Sequence, residues 1–147
     1  MRLFLFWGII GQTSASGCLM NFAPFLAAAP IVKWHTLAAL LALLIGVAVV
    51  VTRKGSTVHV WLGRIWVNLM LLVALSSFWI KGFGHVSWIH FLSIVTLVSI
   101  PVAIHAKRVG NIRRHAITMS MTFLGLMIAG AFTLIPGRIL GAAVFGW

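Results

Sequence analysis

Residues 37–51 carry no polar side chain, and four more apolar stretches of about that length or longer share the chain with them. Runs of this kind have few homes. About 20 apolar residues in helical form match the ~30 Å hydrocarbon core of a bilayer. In lipid every backbone N–H and C=O must be satisfied within the protein, and a helix does this within its own segment. The stretches fall at about 3–29, 31–51, 60–80, 86–106 and 115–135, and with short connections they use all 147 residues. The expectation is therefore one domain over residues 1–147, all-α: an integral membrane bundle of five transmembrane helices, with a four-helix core over about 31–135 preceded by a helix at about 3–29.

The first stretch is the weakest, broken by Gly11-Gln12-Thr13-Ser14 and Pro24. Its start, Met1-Arg2-Leu3-Phe4-Leu5-Phe6-Trp7, resembles a signal peptide, and Ala27-Ala28-Ala29 resembles a cleavage site. It reads instead as a retained span, because the remainder is just as apolar. The last stretch is expected to stop before Pro136-Gly137, a helix terminator.

Of the residues, 62% are hydrophobic and 7% charged, with a mean hydropathy of +1.14. Soluble domains keep about a quarter charged, so no water-facing surface can be built here. All charge is positive: 11 Lys and Arg against no Asp or Glu. That excludes paired-carboxylate hydrolysis, EF-hand calcium sites and carboxylate proton relays. The cations need outside partners, namely anionic lipids, cofactor propionates, phosphate or an acidic subunit of a larger membrane complex. Nucleic acid is not expected, because the charges sit in short loops between apolar runs. Cys18 is the single cysteine, so there is no internal disulfide, no CxxC and no CxxCH attachment site for c-type haem.

The basic residues also give an orientation. Arg53, Lys54 and Arg64 flank one connection, and Lys107, Arg108, Arg113 and Arg114 flank the connection two spans later. Both connections lie on one side, which the positive-inside rule makes cytoplasmic. Lys33, Lys81 and Arg138 fall on the other side. Five spans then put the N-terminus in the cytoplasm and the C-terminus outside. Most of the tryptophans (Trp7, Trp34, Trp61, Trp66, Trp79, Trp88 and Trp147) lie near span ends, as an interfacial belt requires.

Histidine supplies the chemistry. His35 opens the second stretch, His59 the third, His90 the fourth and His115 the fifth, a weak repeat of layout. Because neighbouring spans run in opposite directions, His35 and His90 share one leaflet and His59 and His115 the other. Two opposed histidines are what a six-coordinate b-type haem needs for its axial ligands. A helix of 16 residues rises about 24 Å, so two haems b stacked across the bilayer would have irons about 20 Å apart. His85 reads as a loop residue, and His105 as a reserve ligand for the His59/His115 layer.

Small residues follow the histidines at helical spacing: Ala38, Ala39, Ala42 and Gly46 after His35, Gly63 after His59, Ser93 after His90, and Thr118, Thr122, Gly125 and Ala129 after His115. They suit a flat macrocycle, and equally close helix packing without a cofactor. The histidines themselves could equally be interfacial anchors or interhelical hydrogen-bonding groups. Lys33 on one side, with Arg64, Arg113 and Arg114 on the other, could pair haem propionates. Lipid phosphate is the simpler partner for each except Arg64, which falls inside a span and should point into the bundle or snorkel. The candidate cofactor-binding set is His35, His90, His59, His115, Arg64, Lys33 and Arg114, the four histidines being the iron ligands. No catalytic residue is identified.

Lys54-Gly55-Ser56-Thr57-Val58-His59, followed by Leu62-Gly63-Arg64, resembles the DUF2306 family of bacterial membrane proteins. His35, Trp88-Ile89-His90, Arg114-His115 and Pro136-Gly137-Arg138 ahead of Gly141 fit the same family, over roughly residues 31–146. The resemblance implies a fold and a multi-pass place in a bacterial inner membrane, and no particular activity. In layout alone, the four histidines are similar to cytochrome b561-type proteins, where four helices hold two haems. That likeness implies a di-haem electron carrier exchanging electrons with a quinone or a redox partner protein, an electron-transfer component and not a stand-alone enzyme. The competing expectation is an accessory subunit of a larger membrane complex, without its own cofactor.

Overall fold

A computed structural model of the chain describes residues 26–80 and 88–135. Among these residues there are four helices and no strand: α1 (Pro30–Val51), α2 (Thr57–Ser77), α3 (Trp88–Arg108) and α4 (Ile112–Phe132). All four are long and apolar enough to cross a membrane. Of the expected first span, only residues 26–29 are described. Leu26 and Ala27 are helical, and the chain bends at Ala28 before Pro30; residues 3–25 of that span lie outside the described residues.

Local chemistry sets each helix end. Pro30 occupies the first position of α1, where a missing N–H costs nothing. The chain leaves α1 at Thr52, whose hydroxyl and N–H both return to the Ala48 carbonyl. It turns at Gly55, φ +80°, a conformation that a side chain would oppose. Ser56 then caps α2 by accepting from the His59 N–H at 3.2 Å. The second connection repeats the device. Gly110, φ +79°, ends α3 with Asn111 N–H bonded to Ala106 C=O at 2.8 Å, a Schellman closure. Asn111 at once caps α4 through Arg114 N–H at 3.0 Å.

These caps correct the expected boundaries. Hydropathy put the third and fifth stretches at 60–80 and 115–135, but Ser56 and Asn111 start their helices three residues earlier, inside polar sequence. Both helices also end three residues earlier. α3 is shifted the other way, running to Arg108 instead of 106, and α1 starts one residue early. His59 and His115 accordingly lie in the first turn of their helices rather than at the opening residue.

The helices form a ring in which α1 touches α2 and α4, and α3 touches the same two. His59 meets the end of α1 and His35 the end of α2, so α1 and α2 are antiparallel; His115 shows the same for α4 against α3. A contiguous core of Ala42, Trp66, Met70 and Ile100 lies at the centre, flanked by Phe123 and Leu126. Outward faces are mostly apolar, with Leu44, Leu72, Val98 and Met121 exposed beside a few polar residues such as Arg64, Asn68 and Ser120, while Thr36, Ser76, Ser77, Ser93 and Thr122 are buried. Hydroxyls inside and hydrocarbon outside suit a lipid surround and no other solvent. This is a multi-pass membrane bundle.

Candidate functional site

Three imidazoles are held by the same kind of bond. His115 Nδ1 lies 2.9 Å from the Ala103 carbonyl oxygen, joining α4 to α3. His59 Nδ1 lies 3.3 Å from the Val49 carbonyl oxygen, joining α2 to α1. A carbonyl only accepts, so in both rings Nδ1 carries the proton. In its neutral form a ring so held keeps its lone pair on Nε2. At the other end of the bundle, His35 Nδ1 lies 2.8 Å from Ser76 Oγ, and that hydroxyl donates to Val73 C=O at 3.1 Å. When the Ser76 proton goes to Val73, Oγ accepts from the ring and His35 takes the same tautomer; a serine that donates to Nδ1 instead gives the other one. An imidazole donating through Nδ1 to a protein acceptor while Nε2 stays open is the arrangement typical of histidines that bind metal.

His90 differs. Its ring packs against Phe78, centroids 5.8 Å apart, and its buried Nδ1 has no hydrogen-bond partner among the described residues. Close by in sequence, Ser93 and Ser77 are joined at 2.6 Å across the α2–α3 contact. Ser77 Oγ also lies 2.7 Å from Ala74 C=O, and either hydroxyl can be the donor between the two serines. Between the Ser77–Ser93 pair and His35 is a cavity of about 80 Å³ reached by all four helices, lined also by Met70, Leu92, Thr96 and Gly125; His90 does not line it.

The other residues expected at the site sit as follows. Lys33 is half-buried near the His35 end, and Arg114 is exposed beside His115. Arg64 is exposed, with its guanidinium carbon 5.2 Å from the centre of the exposed Trp61 ring. The inward alternative for Arg64 does not hold: it lies outside the bundle on an aromatic face. His105 is also exposed, on the outer side of α3, and is not placed as a reserve ligand. His85 and the loop around it lie outside the described residues.

Trp66 corrects the interfacial belt. Trp34, Trp61 and Trp79 are exposed as a belt requires, but Trp66 is 3% exposed at the bundle centre. It meets Phe123 edge-on, with centroids 6.3 Å apart. Both rings close over Gly46, where a Cβ would strike the Phe123 ring and stand 2.8 Å from Trp66 Nε1. The small face after His35 is thus filled by aromatic rings at Gly46, between the two histidine layers. Gly63 is different, because a Cβ there would meet nothing within 4 Å.

A family model described as predicted membrane protein (DUF2306) matches residues 32–144. The chain belongs to the DUF2306 family. The matched region takes in nearly all four described helices and every histidine of both layers. Neither a curated protein nor a solved structure matches the chain, so the likeness to cytochrome b561-type proteins stays one of histidine layout.

How well haem suits this DUF2306 bundle can be judged from its own side chains. The donor chemistry fits, because His59 and His115 offer open Nε2 atoms with Nδ1 anchored, and Gly63 leaves an open notch one turn from His59. Volume at the other layer is scarcer. About 80 Å³ beside His35 holds two or three waters, whereas cofactor pockets run to ~300–1,000 Å³. Leu92 and Leu126 would have to turn aside for a macrocycle there. Among the described residues no three His or Cys side chains converge, so a zinc-type site with three or more protein ligands is not formed.

Proposed function

We propose that the bundle is a transmembrane electron carrier holding b-type haem between opposed histidines, His59 with His115 in one leaflet and His35 with His90 in the other. The observation that supports this reading is the shared contact: three rings from three helices, each held through Nδ1, with Nε2 open in His59 and His115. Bound there, haem would supply one-electron chemistry at a potential set by its two axial imidazoles. The protein's own share is to fix ring orientation, keep water out and neutralise carboxylates. Val49, Ala103 and Ser76 hold the rings. Arg114 at one end, and Lys33 at the other, are the groups for propionates, while Arg64, outside the bundle, is not one of them.

In this reading the chain has five spans including residues 3–29, and the Arg- and Lys-rich end faces the cytoplasm of a bacterium. Electrons would pass between a quinone or a redox partner protein on one side and an acceptor on the other. The test is optical. Protein purified in mild detergent should show reduced-minus-oxidised bands of bis-histidine haem, and His59→Ala and His115→Ala should each lose the same component. A colourless, folded preparation would end the proposal.

A second reading draws on the filled centre and the small void beside His35. There the chain is an accessory subunit of a larger membrane complex, its histidines serving as interhelical hydrogen-bonding groups and its positive charge meeting an acidic subunit. Co-purification of a larger, acidic membrane protein with colourless bundle would favour it.

A further inference from the structure

The two connections at the His59/His115 end are both tight and both basic. Arg53 and Lys54 precede the Gly55 turn, and Lys107 and Arg108 enter the Gly110 turn while Arg113 and Arg114 leave it. All six side chains are exposed, and the chain has no carboxylate to set against them. The caps at Ser56 and Asn111 fix the turns, so the charges cannot spread apart by loosening the backbone. Arg113 and Arg114 moreover occupy the first turn of α4, where the helix dipole is itself positive and cations are disfavoured. This end of the molecule thus gathers six like charges, of which, among the described residues, only Lys54 is bonded to carbonyls, those of Val50 and Thr52.

Depth identifies the anion. These turns join helices that span the hydrocarbon core, so they emerge among lipid head groups. Arg64 lies a further two turns into α2. Helix side chains lean toward the N-terminus, which here is toward the same head groups, and Arg64 rests on the exposed ring of Trp61, a residue type that favours this depth. An exposed guanidinium stacked on an interfacial indole is presented to the leaflet and not to the bundle. We propose that the Gly55 and Gly110 turns, with Arg64, form a binding surface for anionic phospholipid head groups, held by charge-assisted bonds to lipid phosphate. Apart from Arg114, its residues have no part in the haem proposal. Each Lys or Arg at such a surface strengthens attachment by about fivefold.

The experiment compares the whole protein in nanodiscs of phosphatidylcholine alone with nanodiscs containing phosphatidylglycerol as well. Thermal unfolding should move up by several degrees with the anionic lipid, and native mass spectrometry should retain phosphatidylglycerol in preference to phosphatidylcholine. The Arg108→Gln/Arg113→Gln variant should be at least as stable as the parent in phosphatidylcholine and lose most of the gain, and Arg64→Gln should lose part of it. Equal unfolding temperatures for the parent in both lipids would overturn the proposal. An equal gain from inorganic phosphate would assign the surface to a free anion instead. No gain from lipid, with an acidic protein covering the turns in native membranes, would assign it to a protein partner.

Discussion

His115 Nδ1 donates to the Ala103 carbonyl across 2.9 Å, and that bond fixes the tautomer of an imidazole whose own helix supplies no acceptor for it. The ring thereby has two separable functions, a structural one through Nδ1 and a ligating one through Nε2. An asparagine at this position keeps an N–H near Nδ1 and has nothing at Nε2. His115→Asn should therefore retain most of the stability and lose the haem bands of the His59/His115 layer. His115→Ala should lose the bands and about 0.6–1.5 kcal/mol as well, the usual worth of one interhelical bond. Unfolding in mixed micelles and the visible spectrum, recorded on the same samples, separate the two.

Gly46 lies beneath Trp66 and Phe123, and a methyl group there has no room. Gly46→Ala should destabilise the bundle by about 1–3 kcal/mol, as overpacking does. Trimming the ring that crowds it, in Gly46→Ala/Phe123→Leu, should recover part of that loss. Additive losses in the double variant would mean that the two sites do not share one space. Gly63→Ala, where no atom stands within 4 Å, should be stable in the absence of cofactor.

How far the sequence revealed this molecule varied with the kind of force involved. Lipid-crossing helices are legible because hydropathy is summed over some 20 residues, so α1 to α4 appear with only small errors of register. Their starts were misplaced because capping depends on single residues, and Ser56 and Asn111 carry that signal in plain view. The histidine layers follow from antiparallel order alone. What single positions could not disclose was which face each residue takes. Trp66 resembles its interfacial neighbours until Met70 and Ala74, each one turn further on, are seen to share its buried stripe. Ser76 was missed because its role needs His35 opposite, a pairing that depends on the relative height of two helices. The adjacent hydroxyls of Ser76 and Ser77 in an otherwise apolar span were the available hint.

Ser76→Ala removes the partner of His35 Nδ1 and leaves a half-buried ring free to change tautomer. A loss of about 0.6–1.5 kcal/mol is expected, with the His59/His115 bonds untouched. Nitrogen chemical shifts of ¹⁵N-labelled histidine would record the change directly. In the parent protein the His59 and His115 rings should show protonated Nδ1, and in Ser76→Ala the His35 ring alone should shift. No change in any ring would mean that Val73 or water holds His35 without the serine.

Asn111 serves two helices at once, and its replacement tests how firmly the second basic turn is set. Its N–H closes α3 onto Ala106 C=O, and its side chain caps α4 at Arg114 N–H. Asn111→Ala keeps the first bond and deletes the second, so the expected loss is that of a cap, about 0.5–2 kcal/mol. The loss should be smaller than at an ordinary cap in one respect. With the cap gone, the first turn of α4 can fray, and fraying lets Arg113 and Arg114 move away from Lys107 and Arg108, so added salt, which screens the repulsion thus relieved, should widen the difference between variant and parent. Asn111→Asp should go the other way, because a carboxylate caps the same N–H and brings the first negative charge into the basic turn. A stability gain for Asn111→Asp that shrinks with salt is the expected result, and a loss would show that the charges around Gly110 do not oppose one another.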